Sequence, residues 1–219
     1  MVRLENLTKI YTTEGQRKVV ADNLNVVFPS GRSVALLGRN GAGKSTLLSI
    51  IAGTINPTSG RVVSDGTISW PVGFSGSFHG DLTGAQNTRF VARVYGVDTE
   101  ALLDFVEDFA ELGQHFHLPF RTYSSGMRSR LAFGISMGIR FDTYLVDEIT
   151  AVGDARFRKK SDILFRDRMA RSGAIYVAHS MSAVRSLCQH AAVLENGQLT
   201  WYDDVAEGIA HHERNMARP

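Results

Sequence analysis

One octapeptide constrains the fold of this chain more than any other feature: Gly38-Arg39-Asn40-Gly41-Ala42-Gly43-Lys44-Ser45, which fits G-x-x-x-x-G-K-[ST]. The apolar run Ser33-Val34-Ala35-Leu36-Leu37 precedes it. Thr46-Leu47-Leu48-Ser49-Ile50-Ile51-Ala52, with apolar residues at helical spacing, follows it. A strand, a glycine-rich turn and a helix in that order point to a sheet with crossover helices. Glycine lets the backbone turn tightly, so that consecutive N–H groups face phosphate oxygens, and the helix N-terminus adds a dipole that favours negative charge. Lys44 is then placed to reach the β and γ phosphates of a nucleotide, and the Ser45 hydroxyl to ligate Mg²⁺. A glycine-rich turn that binds nothing is the alternative, and the flanking strand and helix weigh against it.

The rest of the chain continues the alternation. Val19 to Phe28 and Ser33 to Leu37 read as strands, Lys44 to Gly53 as a helix, and Gly60 to Pro71 as strand and turn. From Thr83 to about Leu112 the pattern is helical, with Phe90, Val91, Val94 and Tyr95, then Leu102, Leu103, Val106 and Phe109, at spacings of three and four. Further helices are expected over Gly126 to Ile139, Ala155 to Met169 and Val205 to Met216. Strands are expected over Thr143 to Val146, Ala174 to Ala178 and Ala191 to Glu195. The class is α/β, a mostly parallel sheet covered by helices. At 219 residues the chain suits one well-buried domain, with the core drawn from 1–82 and 140–219 and an inserted helical subdomain at about 83–139.

Composition excludes several classes. A net charge of +2 argues against an obligatory nucleic-acid partner. A single cysteine, Cys188, rules out an internal disulfide framework and suits a reducing compartment. Charges interrupt the N-terminal residues where a signal peptide needs an apolar stretch, and no apolar run is long enough to span a bilayer. Any membrane role is therefore expected to be peripheral. Neither His115 with His117 nor His211 with His212 has an accompanying set of metal ligands in sequence, and Arg156, Arg158, Lys159 and Lys160 read as a solvated helix face.

Tyr144-Leu145-Val146 ends in Asp147-Glu148, so two carboxylates emerge at the carboxyl edge of a buried strand, where open α/β sheets bind ligands. Neighbouring strand residues point opposite ways, so the two cannot share one task. Asp147 would hold Mg²⁺ and Glu148 would orient or deprotonate an attacking water. Alone, such a pair also serves to cap a helix; downstream of a phosphate-binding loop the catalytic reading is favoured. His179 follows the strand Ile175-Tyr176-Val177-Ala178. By itself it reads as an ordinary structural histidine, and beside Glu148 it would reach the γ-phosphate.

Together with Tyr123-Ser124-Ser125-Gly126-Met127, this set resembles the ATP-binding subunit of an ABC transporter over essentially the whole chain. The resemblance implies a P-loop NTPase fold with a mostly parallel core sheet, an antiparallel β subdomain and an inserted helical subdomain. It implies ATP and Mg²⁺ as ligands. Gly38, Asn40, Gly41, Ala42, Gly43, Lys44 and Ser45 match the Walker A loop, with Thr46 behind it, while Asp147 and Ser45 match the metal ligands. Glu148 matches the catalytic glutamate and His179 the switch histidine. Ser124, Ser125 and Gly126 fall in the signature that binds the γ-phosphate of ATP held by another subunit. Asp154 falls in the D-loop, and Tyr11 resembles the adenine-stacking aromatic, an ordinary strand aromatic being the alternative. One loop and one signature per chain imply a head-to-tail homodimer. A separate integral membrane subunit is implied as partner.

Two departures from the family pattern stand out. The stretch Ser69 to Gly84 lacks the family's usual glutamine, and the signature has Ser125 and Met127 where Gly and Gln are common. That stretch, with Trp70-Pro71-Val72-Gly73-Phe74 and Asp81-Leu82-Thr83-Gly84, is similar to ATPases that export capsular polysaccharide, O-antigen and teichoic acid. The length is most like the capsular exporters of Gram-negative bacteria. The implied role is to power export of a surface polysaccharide from the cytoplasmic face of the inner membrane, touching the polymer only indirectly; a transporter of a lipid, drug or other glycan is the alternative. Trp70, Phe74 and Phe78 are candidates to line the groove that receives the membrane subunit, or to pack within the local fold.

Overall fold

The computed structural model describes residues 1–13, 15–73, 76, 78–147, 154–177 and 180–217. Two compact units divide the chain, one made of 1–71, 141–148 and 169–219, the other of 72–140 and 149–168.

The first unit contains two sheets. Strands β1 (Val2–Thr13), β2 (Gln16–Phe28) and β4 (Ser59–Ser64) form an antiparallel sheet in the order β2-β1-β4. Six strands form the other, in the order β5-β6-β7-β3-β8-β9. They are β3 (Ser33–Leu37), β5 (Ile68–Pro71), β6 (Thr143–Asp147), β7 (Gly173–Val177), β8 (His190–Glu195) and β9 (Gln198–Tyr202). All its pairings are parallel except β8 with β9. Every residue of β3 and of β7 is buried, and so are Thr143 to Val146 of β6. Continuous apolar runs of this kind are what parallel strands covered on both faces require.

Helix α1 (Lys44–Ile51) buries Leu47, Leu48, Ile50 and Ile51 in a core shared with Leu36, Leu145, Ile175 and Leu194 of the parallel strands and Leu4, Leu7 and Phe28 of the antiparallel sheet. Each fully buried side chain of this size contributes about 1.5–3 kcal/mol. Strand β9 has no counterpart among the sequence expectations. It is an edge strand with a polar residue at each exposed position, joined to β8 by Asn196-Gly197, both at positive φ (49° and 78°), the backbone that a tight hairpin turn needs. The sequence reading also lacks the short helix α6 (Met181–Leu187), whereas α7 (Val205–Met216) has the bounds expected of it.

The second unit holds α2 (Gly84–Tyr95), α3 (Thr99–Ala110), α4 (Ser125–Gly138) and residues 155–168 of α5 (Ala155–Arg171). The helical pattern from Thr83 to Leu112 is two helices. A capping box of Thr83 and Gln86 starts α2, Gly96 in a left-handed conformation ends it, and the Asp98 carboxylate accepts from Ala101 N–H at 2.9 Å to start α3. Helix α2 buries Asn87, Thr88, Val91 and Ala92, and leaves Phe90 and Val94 exposed at 57% and 61%. Phe90 and Val94 thus form a separate apolar stripe, four residues apart on the outer face, where helical spacing alone suggested core.

Two of the aromatics considered for coupling, Trp70 and Phe78, make contacts inside their own units. Trp70 stands edge-on to Phe141 with ring centroids 5.5 Å apart, and Phe78 edge-on to Phe120 at 5.4 Å; Phe74 lies outside the described residues. Lys160 donates to Glu111 at 2.9 Å and to the carbonyls of Asp108 and Phe109, while the Arg156 side chain remains 88% exposed. Cys188 is buried at the end of α6, which pushes its thiol up to about 12. Only about one thiol in 10⁴ is then ionised at pH 8, and the thiolate is the nucleophile. Iodoacetamide at that pH should therefore leave the native protein unmodified and label Cys188 fully in denaturant, as read by intact mass; fast labelling of the native chain would contradict the burial.

Candidate nucleotide site

Strand β3 is buried along its whole length and delivers the chain to Gly38 at its carboxyl end. A Cβ on Gly38 would lie 2.4 Å from the Leu194 carbonyl oxygen, so the loop begins seated directly on the backbone of β8. Gly43 closes the loop at φ +106°, and a Cβ there would lie 2.2 Å from Val20 Cγ1 of β2. No side chain could occupy either place without moving its neighbour. The N-cap of α1 is Gly43, which has no side chain to cap the helix, and the first turn contains no acidic residue. A helix start without a cap leaves backbone N–H groups available to an anion.

Lys44 reaches back across the loop and donates to the carbonyls of Gly38 at 2.7 Å and Arg39 at 3.0 Å. Burial lowers its pKa from the usual lysine value, and the Asp147 carboxylate at the end of β6 partly opposes that shift. In front of the loop lies a cleft of about 570 Å³. Tyr11, Lys18 and Val20 form one side of it, Asn40, Gly41 and Gly43 to Thr46 the floor, and Asp147 and Val177 the strand-end side. The structure thus brings together Tyr11, the loop, Thr46 and Asp147. Ala42 instead lines a smaller cavity behind the loop. Glu148 and His179 lie outside the described residues.

Lys18 and Val20 are absent from the residues singled out in sequence. The register of β1 against β2 accounts for Lys18: it sets Thr13 opposite Gln16, Thr12 opposite Arg17 and Tyr11 opposite Lys18. Val20 becomes visible only through its approach to Gly43. Tyr11 is 38% exposed, with the Lys9 ammonium 4.8 Å from its ring centre.

Ser124, Ser125, Gly126 and Asp154 belong to the second unit. Ser124 caps α4, its hydroxyl accepting from Met127 N–H at 3.3 Å. Arg128 stiffens the approach to the helix by donating to the carbonyls of Tyr123 at 3.1 Å and Arg121 at 3.0 Å, and the Tyr123 hydroxyl donates to the His115 carbonyl at 2.6 Å. Among the described residues of this unit, a Cβ on Gly126 would meet nothing nearer than Ser124 Oγ at 4.0 Å, so the start of α4 is open to them. Asp154 accepts from Phe157 N–H at 2.9 Å and from Arg130 at 2.8 Å, and those hydrogen bonds, the backbone one foremost, hold its carboxyl below the usual range. Ser69, in the stretch that lacks glutamine, is buried; it donates to the Trp70 carbonyl at 2.7 Å and accepts from Leu145 N–H at 2.9 Å.

The family model for ABC transporters matches residues 21–151, a span that includes the loop, the start of α4 and the end of β6. The chain belongs to the ABC transporter family. This ABC chain is 50% identical over 216 residues to the polysialic acid transport ATP-binding protein KpsT of Escherichia coli, covering 97% of this chain and 96% of that protein. It is 43% identical over 213 residues to the capsule polysaccharide export ATP-binding protein CtrD of Neisseria meningitidis, covering 97% and 98%. Its fold matches an ATP-binding cassette solved as a dimer bound to ADP and Pi, with a TM-score of 0.76, 21% identity and coverage of 94% and 99%.

An ABC protein's ATP and Mg²⁺ fit the residues present. The two glycines leave a cradle that Cβ atoms would fill, the uncapped helix start faces the cleft, and the half-buried Lys44 supplies positive charge. Asp147 and Ser45, an oxygen set suited to a hard cation, line that cleft together.

Proposed function

We propose that this chain is the ATP-hydrolysing subunit of an exporter of a surface polysaccharide, capsular in type. The observation that carries the reading is near-full-length identity, at 50% and 43%, to ATP-binding proteins of polysialic acid transport and capsule polysaccharide export. The cleft in front of the glycine-rich loop supports ATP as the fuel. No described helix is long and apolar enough to cross a membrane, which fits a subunit that works from the cytoplasmic face of the inner membrane through a separate membrane partner. The exposed Phe90 and Val94 on α2 supply an apolar surface for a protein partner.

In this reading the loop N–H groups and Lys44 hold the β and γ phosphates, and Tyr11 offers a ring to the adenine. Asp147 and Ser45 are the residues that would hold Mg²⁺, whose charge would offset that of the phosphates. Glu148 takes a proton from the water that attacks the γ-phosphorus, and His179 steadies the γ-phosphate; ADP and phosphate leave. Each chain carries one phosphate-binding loop and one open α4 start. Two chains arranged head to tail therefore complete two sites, with Ser124, Ser125 and Gly126 of each, and Asp154 nearby, facing the nucleotide on the other.

The test is deletion of the gene in its host, with surface and cytoplasmic polysaccharide measured separately. Polymer should accumulate inside the cell and return to the surface with the wild-type gene but not with Glu148→Gln. Unchanged surface polymer would overturn the reading and favour a transporter of another substrate.

A further inference from the structure

The phosphate-binding loop is backed by a polar relay across a void, where packed apolar side chains would be the ordinary support. Behind the loop lies a cavity of about 280 Å³, with Gly38 to Ala42 on one side and Glu195, Asn196, His212 and Asn215 on the other. Among the described residues no side chain fills that space, and the loop rests on the backbone on which Gly38 is seated, the end of β8 at Leu194. The next residue, Glu195, is tied to the tail helix: Asn215 Nδ2 of α7 donates to Glu195 Oε2 at 2.7 Å. Asn215 is 5% exposed, and its Nδ2 also lies 3.0 Å from His211 Nε2. An amide nitrogen carries two hydrogens and no acceptor, so it donates to both neighbours. His211 Nε2 must then be an acceptor, which leaves the ring proton on Nδ1, 2.8 Å from the Tyr202 hydroxyl. The relay runs Tyr202, His211, Asn215, Glu195, and its polarity is set at Asn215.

We infer that Asn215 is a positioning residue for the phosphate-binding loop, holding the end of β8 where Gly38 rests on it. This rests on the reading of Gly38 to Ser45 as the ATP-binding loop. The anchoring of α7 does not depend on Asn215: Ile209 is fully buried, and Gly208 packs so close to Ala191 that a Cβ would come within 2.3 Å of the Ala191 Cβ. The loop geometry can therefore be perturbed while the helix stays docked.

Asn215→Asp sets a carboxylate against that of Glu195 and removes the donor. In the purified full-length chain, the Kd for ATP with Mg²⁺, measured by displacement of a fluorescent analogue, should rise about ten- to a hundredfold, the range for a misplaced binding group. KM should rise with it while kcat stays within about twofold. Adding Glu195→Gln to Asn215→Asp restores the hydrogen bond with its direction reversed and should bring Kd back to within about threefold of wild type. An unchanged Kd in Asn215→Asp overturns the inference, as does a raised Kd that the second substitution leaves raised, which is general damage. If Asn215→Asp does not fold, Asn215→Ala removes the tie without adding charge, and an unchanged Kd there overturns the inference equally. Lys44→Ala, run alongside, separates the two claims: normal ATP affinity in that variant overturns the loop assignment and this inference with it, whereas lost affinity there and an unchanged Kd in Asn215→Asp overturns this inference alone.

Discussion

Lys44→Ala is expected to weaken ATP binding by about two orders of magnitude and hydrolysis by at least as much. The Lys44 ammonium is half-buried, held on the carbonyls of Gly38 and Arg39 inside the loop that it serves. Those carbonyls fix its position before any phosphate arrives, so little side-chain ordering remains to be done on binding. Hydrogen bonds to charged groups are worth about 1.5–3 kcal/mol each, and losing a donor aimed at a reacting oxyanion costs about 10²–10³ in rate. The alanine also leaves the two carbonyls without their donor, which loosens the loop further. Nucleotide titration and phosphate release measure the two effects; ATP affinity within threefold of wild type would show that the cleft is not the phosphate site.

Glu148→Gln should separate binding from turnover. The substitution keeps shape and hydrogen-bonding capacity but removes the base, so hydrolysis falls by about 10²–10⁴ while ATP affinity is retained. Strand β6 is buried from Thr143 to Val146 and brings Asp147 to the edge of the cleft, and Glu148 is the next residue in sequence. Because hydrolysis would reopen the paired chains, the variant should also accumulate as an ATP-dependent dimer, visible by size-exclusion chromatography. Turnover near that of wild type would assign the base elsewhere.

What could be read from sequence followed the strength of local signals. Strands β3, β6 and β7 are unbroken apolar runs because both their faces are covered, and their positions were legible to within a residue or two. The loop was legible because its chemistry needs particular residues at fixed spacing. Edge strand β9 was not, since half of it faces away from the core and carries polar side chains. Helix α2 shows where periodicity misleads: Val91 is core, yet Phe90 and Val94, apolar at the same spacing, are not, because Gly84, Thr88 and Ala92 let the opposite face pack closely. The relay behind the loop left no trace in the sequence. Glu195, Tyr202 and Asn215 come from three elements whose meeting depends on tertiary packing.

The silent thiol at 188 makes the native chain a ready background for single-site spectroscopy. A cysteine introduced at an exposed position, such as Gln86 on α2 or Thr12 on β1, would be the sole reactive one, so a spin label or fluorophore could report on either unit without first stripping the protein of its own sulfhydryl.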